Sequence, residues 1–265
     1  MINADAIQKM KYKHCLESLN LSNNDFDFHQ LLTIWYVNLF SNLRRLDMSD
    51  NNNPFNQNKV KIYGIKLDNT DLSETSTLVI LNISCINVVG NPEYILYQRS
   101  RNPINCLTLK GIKDLQIIDL AYSSLFDCNY TINGLQNVDI LNISHFKCGL
   151  LNHNLLQSAV NLEQLIMESS SLSIGLYDDH RSKFLSGLKR LQYIDFSKIA
   201  FKDRFRISTF KSQLDSLQSL ILEGNLFTSI PLALNDFNRL SLLNLRNNKM
   251  AYLTTQEIDA IDVLL

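Results

Sequence analysis

Nine times along the chain the same skeleton returns: L-x-x-L-x-L-x-x-N, with other aliphatic residues allowed at the leucine positions. It begins at Leu16 (LESLNLSNN), Leu43 (LRRLDMSDN), Leu78 (LVILNISCI), Leu115 (LQIIDLAYS) and Val138 (VDILNISHF). It returns at Leu162 (LEQLIMESS), Leu191 (LQYIDFSKI), Leu217 (LQSLILEGN) and Leu240 (LSLLNLRNN). From Leu115 onward successive starts lie 23, 24, 29, 26 and 23 residues apart. In x-L-x-L-x the leucines alternate, so a strand turns them all to one face. A single copy has nothing to bury that face against. Stacked copies do, because their strands lie side by side as a parallel sheet and their leucines merge into one core. The closing Asn suits backbone groups that the turn leaves unpaired. It is present at Asn24, Asn51, Asn225 and Asn248 only, so that ladder is expected to be patchy.

The period is that of a leucine-rich repeat, roughly 20–29 residues. The expected fold class is therefore α/β: a leucine-rich-repeat solenoid, or horseshoe, with a parallel concave β-sheet and an irregular or short helical convex side. Two intervals depart from the period: Leu43 to Leu78 is 35 residues and Leu78 to Leu115 is 37. Partial matches at Ile62 (IYGIKLDNT) and Ile104 (INCLTLKGI) do not repair them, since the second would leave an 11-residue coil. Both stretches read as coils with insertions, near 50–62 and 86–114. Residues 1–265 are thus expected to form one solenoid of about nine to eleven coils.

The most regular coil is LQSLILEGNLFTSIPLALNDFNR, from Leu217. Its Phe227, Ile230-Pro231, Phe237 and following Leu240 resemble the extracellular class of leucine-rich repeat. The segment LLNLRNNKMAYLTTQEIDAIDVLL, Leu242–Leu265, resembles the last coil before the C-terminal cap of Toll-like receptor ectodomains. The irregular middle coils and the mixture of LNLS, LNIS and LDMS strands are also similar to that family. The resemblance implies a ligand-binding region of a pattern-recognition receptor of innate immunity, with a protein or microbial ligand. It further implies ligand-bridged pairing into a receptor dimer, and a place on the extracellular face of the plasma or endosomal membrane. Neither Cys-rich cap, nor a transmembrane helix, nor a signalling domain is present in these residues, so a piece of a longer protein is expected. An adhesion or matrix protein and a cytosolic scaffold are the alternatives.

Composition excludes several classes. With 45% hydrophobic residues the chain has material for a core, and a net charge of −1 creates no global attraction for nucleic acid or membrane. The longest apolar run, LLTIWYVNLF at Leu31–Phe40, is too short to span a bilayer. No Gly-rich phosphate loop, HExxH, CxxC or G-x-S-x-G is found, so no enzyme is expected, nor any cofactor or metal site. Charge is uneven, however. Residues 181–211 hold nine Lys/Arg against Asp195 and Asp203, and FKDRFRISTFK interleaves aromatics with base. Lys202, Arg204 and Arg206 are therefore candidates for a polyanion surface. The other reading is a solvated face whose Phe201, Phe205 and Phe210 anchor in the core.

Five cysteines leave at least one unpaired within the chain or parted from its partner. Cys128 and Cys148 stand 13 and 10 residues after their strand starts, at similar levels of adjacent coils, and Cys85 and Cys106 bracket the second insertion. Both pairs are disulfide candidates or buried thiols. Cys15, just before a strand, is expected in the core. Sequons stand at Asn20, Asn82, Asn129 and Asn142, three of them inside the strand template and Asn129 outside it in an exposed turn. Glycans at the three strand positions would crowd the concave face and leave free the coils after Leu162. Ligand-surface candidates on that face are Glu168, Tyr193, Asp195, Glu223 and Arg246.

Overall fold

The computed structural model describes residues 9–24, 40, 42–49, 51, 80–82, 107–108, 114–121, 132–133, 135–145, 156–170, 182–201, 210–230 and 236–256. Eleven short strands run through them: β1 (Ser18–Asn20), β2 (Arg45–Asp47), β3 (Ile80–Asn82), β4 (Leu107–Thr108), β5 (Ile117–Asp119) and β6 (Ile132–Asn133). These are followed by β7 (Ile140–Asn142), β8 (Gln164–Ile166), β9 (Tyr193–Asp195), β10 (Ser219–Ile221) and β11 (Leu242–Asn244). Nine of them form one sheet in the order β1-β2-β3-β5-β7-β8-β9-β10-β11. Every pairing is parallel and every register is the same, so the central residues Leu19, Leu46, Leu81, Ile118 and Leu141 line up in one row. Leu165, Ile194, Leu220 and Leu243 continue it. At about 4.8 Å per strand the sheet extends roughly 40 Å.

Each of the nine repeat lines supplies one of these strands. The 35-residue and 37-residue intervals each connect strands that are direct neighbours, β2 with β3 and β3 with β5. The line at Ile104 does not enter this sheet. Its Leu107–Thr108 pairs in parallel with Ile132–Asn133 as a second, two-stranded sheet, β4 with β6. Both strands lie between concave strands in sequence, on the returning part of two consecutive coils.

The core is the row of leucines and the residues that follow them. Leu81, Leu115, Ile118, Val138, Leu141 and Ile143 are fully buried, and so are Leu162, Leu165, Leu191 and Leu220. The second half adds aromatics. Phe196 packs edge-on to Phe201 at 5.7 Å between ring centroids and lies 6.2 Å from Phe210, which stands 6.0 Å from Phe237. Such tilted ring pairs contribute about 0.5–1.5 kcal/mol beyond area burial. Phe201 and Phe210 are thus core residues, which is the anchoring role expected of them. Phe227, Ile230, Phe237 and Leu240, the motif residues of the regular coil, are buried with them.

Wherever the turn after the strand is described, the backbone hand reverses there. The residue before the closing Asn position has positive φ in six coils: Asn23, His145, Ser169, Lys198, Gly224 and Asn247, with φ between 54° and 67°. The closing Asn then satisfies the exposed backbone. Asn225 donates to the carbonyls of Phe196 and Leu222, both at 2.9 Å, and accepts from the amides of Ile199 and Phe201. Asn51 and Asn248 do the same work in their coils, and Ser170 donates to the Ile143 carbonyl at 2.9 Å where Asn is missing. On the convex side, the 3-10 segment Ser182–Leu185 makes a helical turn.

Cys15 corrects an expectation. It is exposed rather than core, because it ends a 3-10 turn, Lys13–Cys15, just ahead of the first strand line. Leu16, the next residue, makes the contact with the core. The column that Cys15 occupies holds Asn42, Asn161 and Arg190 in later coils, all in positions that face water or cap a neighbouring coil.

Candidate functional site: the concave face

A three-residue strand whose centre is buried presents its first and third residues on the concave face. In-register stacking converts them into two lanes. The first lane reads Ser18, Arg45, Ile80, Ile117, Ile140, Gln164, Tyr193, Ser219, Leu242. The other reads Asn20, Asp47, Asn82, Asp119, Asn142, Ile166, Asp195, Ile221, Asn244.

Most of the second lane is occupied by the coil's own needs. At six of its Asn and Asp positions the Oδ1 accepts the backbone N–H two residues on. Ser22 donates to Asn20 at 2.8 Å, Ser49 to Asp47 at 3.0 Å, and Ala121 to Asp119 at 2.8 Å. Ser144 donates to Asn142 at 3.0 Å, Ser197 to Asp195 at 2.8 Å, and Arg246 to Asn244 at 3.0 Å. In three of these the serine hydroxyl donates to the same oxygen. This side-chain turn satisfies a backbone amide just past the end of the strand. The letters L-N/D-x-S therefore encode the turn that follows the strand, and Asn-x-Ser arises from it.

The order of the amides and acids also follows from physics. Across β1 to β7 the lane alternates Asn, Asp, Asn, Asp, Asn. Each Asn has an N–H to give and each Asp a second oxygen to receive it: Asn142 Nδ2 donates to Asp119 Oδ2 at 3.2 Å and Asn20 Nδ2 to Asp47 Oδ2 at 3.5 Å. Two carboxylates in adjacent strands would instead repel.

The alternation breaks at β8. Ile166 and Ile221 take the lane on either side of Asp195, and where Ser usually follows, Glu168 and Glu223 stand. Tyr193 sits two residues before Asp195 on the same face, half-buried, between Gln164 and Ser219. Its hydroxyl is held above the usual 10.0, first by burial and then by Asp195 and Glu168, so it stays a neutral donor. Glu168 pairs with Lys198 at 2.5 Å, and Glu223 accepts from Asn244 at 3.1 Å and Asn247 at 2.9 Å.

Glu168, Tyr193, Asp195, Glu223 and Arg246 thus share one region of the concave face, across β8 to β11. Ile166 and Ile221 belong with them and were not singled out in the sequence. The signal was there, since they are the two aliphatics in a column otherwise Asn or Asp. Asn20 and Asn142 lie on the second lane at the side-chain level, and Asn82 holds the same register in β3. The glycosylation candidate Asn129, the cysteines Cys85, Cys106, Cys128 and Cys148, and Lys202, Arg204 and Arg206 lie outside the described residues. Of the basic segment that is described, Arg190 pairs with Glu163 at 2.9 Å and Lys198 with Glu168, so part of its charge is neutralised within the protein. Among the described residues no group of three His, Cys, Asp or Glu could hold a metal ion, and no helix is long and apolar enough to cross a membrane.

No protein-family model matches the sequence, and no curated protein matches it. Solved structures do. The TLR13–ssRNA13 complex aligns over 100% of this chain and 36% of its own, with a TM-score of 0.55 at 16% identity. The fold is a leucine-rich-repeat solenoid. The leucine-rich-repeat ectodomain of the plant receptor kinase GASSHO1/SCHENGEN3 from Arabidopsis thaliana, in complex with CASPARIAN STRIP INTEGRITY FACTOR 2, covers 86% of this chain and 24% of its own. Its TM-score is 0.49 at 19% identity. Mouse RP105, in complex with MD-1, covers 85% and 37%, with a TM-score of 0.48 at 21% identity. This solenoid spans between about a quarter and two fifths of the length of these structures.

Proposed function

We infer that this solenoid is the ligand-binding region of a Toll-like pattern-recognition receptor of innate immunity, a module that binds and does not catalyse. The observation that carries binding is the break in the concave lane at β8 to β10. Elsewhere in the lane the described Asn and Asp side chains serve the turn that ends each strand, whereas here isoleucine replaces them at Ile166 and Ile221, on either side of Asp195 and beside Tyr193. The finer, Toll-like part of the reading is supported by the pattern of the last coil, Leu242–Leu265, and by the match to TLR13 along the whole chain.

On this reading residues 1–265 form a single solenoid within a longer receptor, on the extracellular or endosomal side. A protein or microbial ligand bridges two receptors. Asn20, Asn82, Asn129 and Asn142 are its glycan acceptors, and Cys128–Cys148 and Cys85–Cys106 its internal disulfides. The full coding sequence tests it. A transmembrane segment and a TIR signalling domain downstream are expected, and a matrix-type cap followed by a stop codon would overturn the Toll-like assignment in favour of an adhesion protein.

A further inference from the structure

Asp195 is unlike the other described acids of its lane. Asp47 and Asp119 each receive an asparagine N–H on the second carboxylate oxygen from a neighbouring strand. Asp195 has isoleucine on both sides, and only its Oδ1 is engaged, by the amide and hydroxyl of Ser197. Its Oδ2 is left without a hydrogen bond among the described residues. The neighbours suit a particular kind of group. Ile166 and Ile221 stand one strand away on each side, roughly 10 Å apart, enough to flank a methylene chain. Tyr193 offers a ring face and a phenol on the same surface, with the small Ser219 beside it. Glu168 and Glu223 lie two residues beyond the isoleucines; Glu168 is paired with Lys198, so Asp195 and Glu223 carry the negative charge beside Tyr193.

We propose that this face of β8 to β10 is a subsite for a lysine or arginine side chain of a polypeptide ligand, its charged end on Asp195 Oδ2 and its stem between Ile166 and Ile221. This rests on the binding role inferred above and names the chemistry of the ligand. A cation over a tyrosine ring and against a carboxylate gains from both, and long basic side chains bury their stems on apolar surface while keeping the charge at its edge. A nucleic-acid backbone would meet repulsion at the same place.

The test is selection of a phage-displayed random dodecapeptide library on the full 265-residue chain, followed by fluorescence-polarisation titration of the enriched peptides. Enrichment of peptides with a fixed Lys or Arg is expected. Asp195→Asn is expected to weaken those peptides at least tenfold, while Asn keeps the turn to Ser197 as Asn142 keeps it to Ser144. Ile166→Asn, which supplies Asp195 with the donor that Asn142 gives Asp119, is expected to weaken them as well, although every carboxylate remains. Asp119→Asn should leave binding unchanged. Enriched peptides without a basic residue, no enrichment at all, or equal binding by Asp195→Asn, each overturns the subsite. None of these outcomes bears on whether a signalling domain follows in the coding sequence, so the two inferences fail separately.

Discussion

Ser169 and Gly224 hold the same place in their coils, the left-handed residue just before the closing position, with φ of 54° and 67°. For glycine that conformation is free, whereas an L-residue there incurs roughly 1–2 kcal/mol. A Cβ at Gly224 would also come within 2.9 Å of Lys198 Cγ. Gly224→Ala is therefore expected to lower stability by about 1–2 kcal/mol, and Ser169→Gly to raise it by a smaller amount; thermal unfolding of both variants checks the opposite signs. Tyr193 supplies a pH dependence. Its pKa is raised in the folded state by burial, Asp195 and Glu168, so the folded chain holds that proton more tightly than the unfolded one. The resulting stability is fully present below the ordinary tyrosine pKa and is lost as pH rises through the folded value. Urea midpoints of wild type and Tyr193→Phe should run parallel from pH 7 to 9 and draw apart above about 10; parallel curves up to pH 11 would sink the idea.

At the scale of the strand and its turn, two kinds of asparagine do different jobs. Asn225 is buried and meets two carbonyls and two amides from its own coil and the one before. Asn225→Ala would strand several buried backbone groups, with an expected cost of about 3 kcal/mol in denaturant titration. Asn142 gives its N–H to Asp119 instead. Asn142→Asp keeps the turn but sets two carboxylates on adjacent strands, so a loss of about 1–2 kcal/mol is expected at neutral pH. That loss should shrink in about 1 M salt, which screens the repulsion.

These elements also show how far the letters could be read. Alternating leucines determine which face of a strand is buried, so all nine concave strands were legible from spacing. The β4–β6 pair was not, because two residues of extended backbone need no periodic pattern. Glycine or asparagine marks the left-handed position at Asn23, Gly224 and Asn247, but Ser169 and Lys198 carry no such mark and are held there by the ladder around them. The five acidic, basic and aromatic site residues were visible as outward letters. Their isoleucine neighbours do not stand out among the letters, since an aliphatic residue in a repeat is normally core. Cys15 failed for the related reason that closeness to a strand says nothing about which side of the coil a residue takes.

Across the whole molecule, the coils touch mainly their neighbours in sequence order, and stability in such a stack is a sum of coil and interface contributions. The cluster of Phe196, Phe201, Phe210 and Phe237 ties together the coils of β9 and β10, just below β11. The proposed subsite sits on the concave side of these coils, so this aromatic packing lies behind the surface argued to bind. Phe210→Ala removes the ring that meets both Phe196 and Phe237, at an expected cost of about 3–5 kcal/mol. In a globular core that loss would spread over every element. Here amide exchange should accelerate most in β9, β10 and β11 and progressively less through β8 and β7, leaving β1 and β2 close to wild type. Uniform acceleration from β1 to β11 would mean that the stack unfolds as one unit, and the aromatic cluster would then stabilise the far coils as much as its own.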